Sequence, residues 1–187
     1  MRPPESEIRN QKLEIELQTP RLELVPFTHA DSGFILSILN SPGWLRYIGD
    51  RNVHTTEAAI AYLDNGPLKS YRDHGFGLMR VDLKATGLPI GMCGLLRRPE
   101  LDGPDIGFAF LPEYHRQGYA LEAARAVTAF ARDHLQLPQL LAIVQADNAA
   151  SIGLLQHLGF VYDTVVISGV KKEELQLYRL PLSPSGK

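Results

Sequence analysis

The stretch from Asp105 to Val127 reads DIGFAFLPEYHRQGYALEAARAV, and it decides the fold. Ile106, Phe108 and Phe110 alternate with smaller residues, which predicts a strand with one buried face. Pro112 ends this strand because proline has no N–H to donate to a neighbouring strand. After a polar loop, alanine and valine recur at helical spacing, so the unit is strand, loop and helix in that order.

The loop before this helix has the features of an anion site. The helix is predicted to begin at about Gly118, where N–H groups without intrahelical partners and the helix dipole both favour negative charge. Gly118 lets the backbone approach a ligand, Ala120 nearly does so, and Arg116 adds a mobile positive charge. Phosphate is the expected ligand. An ordinary strand-to-helix turn is the alternative interpretation of a lone Gly-x-Ala.

A second stretch, Leu140 to Phe160, reads LLAIVQADNAASIGLLQHLGF and repeats this arrangement. Its first five residues form an apolar run short enough for a buried strand. Asn148 then offers a side-chain cap for a helix that Gly159 closes. The sequence therefore predicts two strand-to-helix units in tandem.

These two stretches resemble the acyl-CoA-binding core of the GCN5-related N-acetyltransferase (GNAT) superfamily. The pattern N-x-x-S-x-x-x-L-x-x-L-G-F, which begins at Asn148, resembles the branch of ribosomal-protein N-terminal acetyltransferases. Thr19 to Leu24 and Ile90-Gly91 agree, so the resemblance covers nearly the whole chain. It implies an α/β (α+β) fold: a mixed, mostly antiparallel sheet of six or seven strands, splayed at the central strands, with helices on both faces.

The resemblance also implies an activity, namely direct transfer of an acetyl group from acetyl-CoA to a primary amine, most simply a protein N-terminal amine. A small-molecule amine is the alternative acceptor. Backbone amides from about Arg116 to Leu121 would hold the pyrophosphate, and the pantetheine arm would lie along the preceding strand. The residues expected at the cofactor are Phe108, Phe110, Leu111, His115, Arg116, Gln117, Gly118, Tyr119, Ala120, Leu121 and Asn148.

The chain departs from the superfamily pattern at two positions. His115 stands where the pyrophosphate loop usually begins with Arg or Gln, but backbone amides do most of the holding. Leu155 stands where many members carry a tyrosine that protonates the CoA thiolate. Ser151 is the candidate for this acid, and a role as the third residue of a capped helix is the alternative. Leu155 also leaves open a non-catalytic acyl-CoA sensor.

Proton transfer from the amine requires a base, and several residues are candidates. Asp105 begins the central strand, near where related enzymes often place a carboxylate, and it is our catalytic candidate together with Asn148 and Ser151. The other candidates lie in loops and are Glu100, Asp102, His54 and His74. The backbone N–H of Leu111 is expected to polarise the thioester carbonyl.

Two aromatic residues are candidates for the acceptor groove. Trp44 and Tyr47 lie in a segment, Trp44 to Ile48, that we interpret as a linker. Core packing explains both aromatics equally well.

Composition excludes several classes of protein. The 187 residues suit a single domain with an ordered core of about 13–182, and 1–10 and 183–187 are predicted to be tails. A net charge of −2 gives no footprint for nucleic acid, and no apolar run approaches the ~20 residues needed to span a bilayer. We therefore expect a cytoplasmic protein that binds neither nucleic acid nor membrane.

Two further expectations concern metals and assembly. The single cysteine, Cys93, excludes an internal disulfide framework and a multi-cysteine zinc site, so no metal is expected. It lies in a strand-like run and is predicted to be a buried structural thiol. At the amino end, Leu13 to Leu17 alternates as a strand would. A homodimer through the C-terminal strands or the helical face is compatible with the sequence.

Overall fold

The computed structural model describes residues 15–168 and 172–182, and these form one sheet of eight strands. The order across the sheet is β1-β2-β3-β4-β5-β6-β8-β7, and every neighbouring pair is antiparallel except β5 and β6. The mixed, mostly antiparallel sheet is therefore confirmed. The strands are β1 (Leu17–Gln18), β2 (Leu22–Pro26), β3 (Leu78–Leu83), β4 (Leu88–Leu96), β5 (Asp105–Phe110), β6 (Gln139–Val144), β7 (Val161–Ile167) and β8 (Glu174–Pro181).

Six α-helices of the described chain cover the two faces of this sheet. One buried cluster packs α5 and α6 against one face, and a second packs α1 to α4 against the other. Met92 belongs to the second cluster and Cys93 to the first, as alternation along β4 requires. The helices are α1 (Ser32–Leu39), α2 (Pro42–Tyr47), α3 (Thr56–Asn65), α4 (Pro67–His74), α5 (Tyr119–Asp133) and α6 (Ala149–His157).

The sheet has more strands than the six or seven expected, because a two-residue strand, β1, pairs with β2 at its edge. The strand predicted for Leu13 to Leu17 was wrong for residues 15 and 16 and is confirmed at Leu17, the first residue of β1. Residues 13 and 14, and the predicted tails at 1–10 and 183–187, lie outside the described residues.

The linker predicted for Trp44 to Ile48 was also wrong, since most of it belongs to α2. Pro42 is the first residue of this helix, and Ser41 before it is extended. A proline is well tolerated there because the first helical N–H groups have no intrahelical acceptor. Pro42 therefore starts a helix as well as following the end of α1.

The predicted separation between the central strands is present between β5 and β6. The two strands pair at one position, Asp105 with Leu141, and the Leu141 N–H donates to the Pro104 oxygen at 3.0 Å. From there β6 pairs along its whole length with β8 on its other side. The polar backbone groups of β5 beyond Asp105 consequently face a gap.

Two further observations concern the single cysteine and the length of the helices. Cys93 is fully buried, as predicted for a structural thiol, and burial raises the pKa of this thiol. Within residues 15–168 and 172–182, no helix is both long and apolar enough to cross a membrane.

Candidate active site

The edge of β5 that faces the gap is defined by its hydrogen bonds to β4. The Leu111 N–H donates to the Ile90 oxygen at 2.9 Å, and the β4–β5 register has no irregularity. Successive residues of a strand point their N–H groups to opposite sides, so the N–H groups of Phe108 and Phe110 point toward the gap. The prediction that the Leu111 N–H polarises a thioester was therefore wrong, because β4 already uses that donor.

The aromatic side chains of β5 do not line the gap. Phe110 is buried, Phe108 is partly buried, and both belong to the core cluster beneath α5. These two predicted cofactor residues thus offer backbone groups to the gap. The Phe110 oxygen lies 2.8 Å from Nε2 of His115, so the loop folds back onto the same edge.

The N-terminus of α5 has free hydrogen-bond donors. Gly118 is the N-cap residue and makes no side-chain cap, and the first intrahelical bond runs from the Glu122 N–H to the Gly118 oxygen at 3.0 Å. None of the N–H groups from Gly118 to Leu121 donates to another group in the described chain. Four donors and the positive end of a 15-residue helix therefore meet at one point.

The loop that presents these donors is held in an unusual backbone shape. Gly118 has φ +82° and Arg116 has φ +60°, both in the left-handed region. Such a conformation disfavours any residue with a Cβ, which explains glycine at 118 and indicates that other contacts hold Arg116 in place. One such contact is a hydrogen bond from the Gln117 side chain to the Glu113 oxygen at 2.9 Å.

The start of α6 lies at the same edge of the sheet, because β5 and β6 run parallel and each leads into a helix. Asn148 caps α6 as predicted, since its Oδ1 accepts from the Ser151 N–H at 3.2 Å. In a reciprocal capping arrangement the Ser151 side chain would accept from the Asn148 N–H. That N–H donates to the Gln145 oxygen instead, so the cap does not use the Ser151 hydroxyl. Among the described residues that hydroxyl has no hydrogen-bond partner. Leu155, one turn further, is buried in the core.

Asp105 lies at the other end of the gap, about 17 Å of strand from Phe110. It is 1% exposed; Oδ2 accepts from Arg98 Nε at 2.9 Å, and Oδ1 has no partner in the described chain. Burial raises the pKa of Asp105 to about 6, and the charge and hydrogen bond of Arg98 oppose part of that shift. A buried carboxylate with one free oxygen can accept a proton near neutral pH.

The other candidate bases have different surroundings. Asp102 is exposed and pairs with Arg179 at 3.2 Å, and His54 is exposed beside Asp50 at 3.3 Å. His74 is exposed and stacks on Phe76 at 5.7 Å, and Phe76 lies near Val127 and Phe130 in the second half of α5. Glu100 is exposed, and its charge contributes to the raised pKa of Asp105.

The two aromatic candidates for the acceptor groove lie on α2. Trp44 is 7% exposed within the core cluster of α1 to α4, although its indole N–H has no partner in the described chain. Tyr47 is partly exposed beneath the Arg46 guanidinium, at 4.9 Å. Arg46 also reaches Asp147, just before Asn148, at 3.6 Å. This ion pair brings α2 beside the start of α6.

Sequence reasoning missed Arg98, the partner of Asp105. The available signal was the hairpin, since antiparallel pairing of Leu96 with Asp105 places residues just beyond β4 beside the start of β5. It also missed Arg21 and Glu122, which pair at 2.7 Å beside the α5 N-terminus although 101 residues separate them.

Comparison with known protein families gives a match to the acetyltransferase (GNAT) domain over residues 21–161. Among individual proteins, the chain is similar to the uncharacterized N-acetyltransferase YoaA of Bacillus subtilis (strain 168). The two are 30% identical over 175 residues, which cover 84% of this chain and 98% of that protein.

Solved structures agree with the fold. An acetyltransferase from Agrobacterium tumefaciens str. C58 superposes with a TM-score of 0.76 and 25% identity, covering 92% of this chain and 98% of that one. RimL, the ribosomal L7/L12 alpha-N-protein acetyltransferase solved in complex with coenzyme A, gives a TM-score of 0.77. It shares 13% identity, with 90% of this chain and 98% of that chain covered, so this second likeness concerns the fold alone.

The raised pKa of Asp105 predicts a pH-dependent cost to stability. Between about pH 4 and 6 the folded chain holds more protons than the unfolded chain, because the ordinary value for aspartate is 3.8. Stability from this group therefore falls as pH rises through that window. The unfolding free energy of Asp105→Asn relative to the wild type should therefore increase with pH, by up to about 3 kcal/mol between pH 4 and pH 7.

Urea unfolding at several pH values measures this difference. Asp102→Asn is the matched control, because it removes an exposed carboxylate from the loop just before β5 and so corrects for the loss of one carboxylate from this part of the chain. A constant difference between Asp105→Asn and the wild type across the range would contradict the prediction.

Proposed function

The chain belongs to the GNAT acetyltransferase family, and from that premise we propose that it transfers an acetyl group from acetyl-CoA directly to a protein N-terminal amine. The observation that carries the proposal is the open edge of β5 leading into the uncapped N-terminus of α5. The pantetheine arm of acetyl-CoA, an extended chain with two amides, fits the open edge of β5. Its pyrophosphate fits the N-terminus of α5.

Each end of the donor has matching groups in the chain. The four N–H groups from Gly118 to Leu121 are suited to the pyrophosphate oxygens. The N–H groups of Phe108 and Phe110 face the gap and can donate to the pantetheine carbonyl oxygens, as they would to an added strand. The Phe110 oxygen already contacts Nε2 of His115. Since β4 takes the Leu111 N–H, the donor to the thioester carbonyl oxygen is one of the N–H groups of β5 that face the gap.

Asp105 is the proposed general base. Its free Oδ1 accepts a proton from the ammonium form of the acceptor, directly or through water, which leaves a neutral amine nitrogen. That nitrogen forms a bond to the acetyl carbon, the bond from carbon to sulfur breaks, and the second proton, which the nitrogen loses on becoming an amide, passes to solvent water. With a pKa of about 6, the Asp105 carboxylate is ionised at pH 7 and its pKa is close enough to that pH for it to take up and release protons.

Ser151 is the proposed general acid toward the departing sulfur. Its hydroxyl is not used by the helix cap, and the residue lies one turn before Leu155, on the same face of α6. Leu155 stands where many superfamily members carry a tyrosine. A hydroxyl one turn earlier therefore replaces the phenol, and water returns its proton.

The acceptor is assigned from the sequence pattern N-x-x-S-x-x-x-L-x-x-L-G-F, which resembles that of ribosomal-protein N-terminal acetyltransferases. The acceptor-side helix α2 lies next to the start of α6, where this pattern begins. A peptide N-terminus approaching from that side would reach the gap opposite the donor.

Release of free CoA thiol from acetyl-CoA tests the acceptor assignment. A panel of ribosomal-protein N-terminal peptides, free amino acids and polyamines serves as acceptors. We expect turnover with a subset of the peptides, and mass spectrometry should place the acetyl group on the α-amine. Turnover confined to small amines would overturn the assignment, and binding of acetyl-CoA without turnover would favour a sensor.

Replacing the proposed base should abolish most of the rate without loss of donor binding. Asp105→Asn is expected to lower kcat by about 100-fold or more, because removal of a general base typically costs that much. The dissociation constant for CoA, measured by calorimetry, should stay within about twofold. Asp102→Asn is the control and should retain wild-type kcat; equal kcat in Asp105→Asn and the wild type would exclude Asp105 as the base.

Replacing the proposed acid should also act on turnover alone. Ser151→Ala removes the hydroxyl but leaves the backbone N–H that Asn148 caps, so the helix is retained. We expect kcat to fall by about 100-fold with unchanged CoA affinity. Ser151→Thr keeps a hydroxyl and should recover much of the rate, whereas undiminished turnover in Ser151→Ala would remove the assignment.

A further inference from the structure

An arginine from the beginning of the chain reaches the loop proposed to bind pyrophosphate. Arg21 lies immediately before β2, and its Nη1 donates to the Gln117 oxygen at 3.0 Å. Its guanidinium carbon is 4.4 Å from the centre of the Tyr119 ring. A Cβ added at Gly118 would lie 3.2 Å from Arg21 Nη2. The guanidinium therefore packs directly against the loop.

Glu122 fixes the position of this arginine. Its Oε2 accepts from Arg21 Nε at 2.7 Å, while Oε1 accepts from the Arg21 backbone N–H at 2.9 Å and from Thr19 Oγ1 at 2.6 Å. Partial burial opposes its ionisation, but these hydrogen bonds together lower the pKa of Glu122. Both carboxylate oxygens are therefore committed to the segment that precedes β2.

The contact with Gln117 has a geometric consequence for its neighbour. A trans peptide is planar, and its C=O and N–H point in opposite directions. Because Arg21 holds the Gln117 oxygen, the N–H of Gly118 in the same peptide must point away from Arg21. This N–H is one of the four donors at the start of α5 that no group in the described chain uses.

We propose that Arg21 and Glu122 are positioning residues for acetyl-CoA. They fix the peptide between Gln117 and Gly118 so that its N–H faces the pyrophosphate. The inference rests on the proposed function, since it assumes acetyl-CoA at this loop. Arg21 contributes through orientation of the backbone, and the charge of its guanidinium is balanced by Glu122 at 2.7 Å.

The alternative is that Arg21 attracts the phosphates directly by its charge. Arg125, one turn further along α5, provides a matched comparison because it lines the same groove as Arg21 and Gly118. It makes no hydrogen bond or ion pair within the described chain. A charge effect would apply to both arginines, whereas positioning belongs to Arg21 alone.

Steady-state kinetics with two donors separates these possibilities. Arg21→Gln should raise the KM for acetyl-CoA about tenfold while leaving kcat unchanged, a loss comparable to that of one charge-assisted hydrogen bond. With S-acetyl-pantetheine, which has no pyrophosphate, Arg21→Gln should match the wild type, which also verifies that the variant is folded. Arg125→Gln should change the KM for acetyl-CoA and the KM for S-acetyl-pantetheine by no more than about twofold each.

Glu122→Gln gives results of opposite sign under the two explanations. Positioning predicts a higher KM for acetyl-CoA, because Arg21 loses its anchor. Direct attraction predicts a lower KM, because a negative charge beside the arginine is removed. A lower KM in Glu122→Gln, or an unchanged KM in Arg21→Gln, would overturn the inference and leave the proposed function intact. A wild-type protein that fails to bind acetyl-CoA would overturn both.

Discussion

The constraint on which the rest of the structure depends is the single point of pairing between β5 and β6. Two adjacent parallel strands that met along their length would satisfy each other's backbone groups and leave no room between them. Here β6 meets β5 at Asp105 and Leu141 and then follows β8. The sheet thereby gains an unpaired edge in its interior, protected from the edge-to-edge association that threatens an outer strand. The N-termini of α5 and α6 lie at the open end of that gap, and Asp105 lies at the closed end.

Local features of the chain were predictable because they depend on neighbouring residues. The strand over Ile106 to Phe110 follows from alternation, and the helix after Gly118 follows from a change of period. The Asn148 cap follows from residue type and position. A linker was predicted over Trp44 to Ile48 in place of α2 because the proline before it could either end a helix or occupy a first turn, and the local sequence does not distinguish these roles.

Contacts between distant segments were not predictable in the same way. The ion pair of Arg21 with Glu122 spans 101 positions, so no periodicity connects the two residues. The insertion of β8 between β6 and β7 is a choice of pairing that alternation within each strand leaves open. The role expected of the Leu111 N–H failed for a related reason, since the direction of each N–H depends on which residues pair across the strands. The electrostatics of Asp105 likewise required its burial and its contact with Arg98.

The buried position of Cys93 has a practical consequence. It is the only cysteine in the sequence, it is fully enclosed in the core, and burial disfavours its thiolate, the form that reacts. The folded enzyme should therefore not react with thiol reagents such as chromogenic aromatic disulfides and maleimides. Colour that develops in a turnover assay comes from CoA alone. A cysteine engineered on the surface would be the single labelling position, so a fluorophore or spin label can be attached without first removing the native residue.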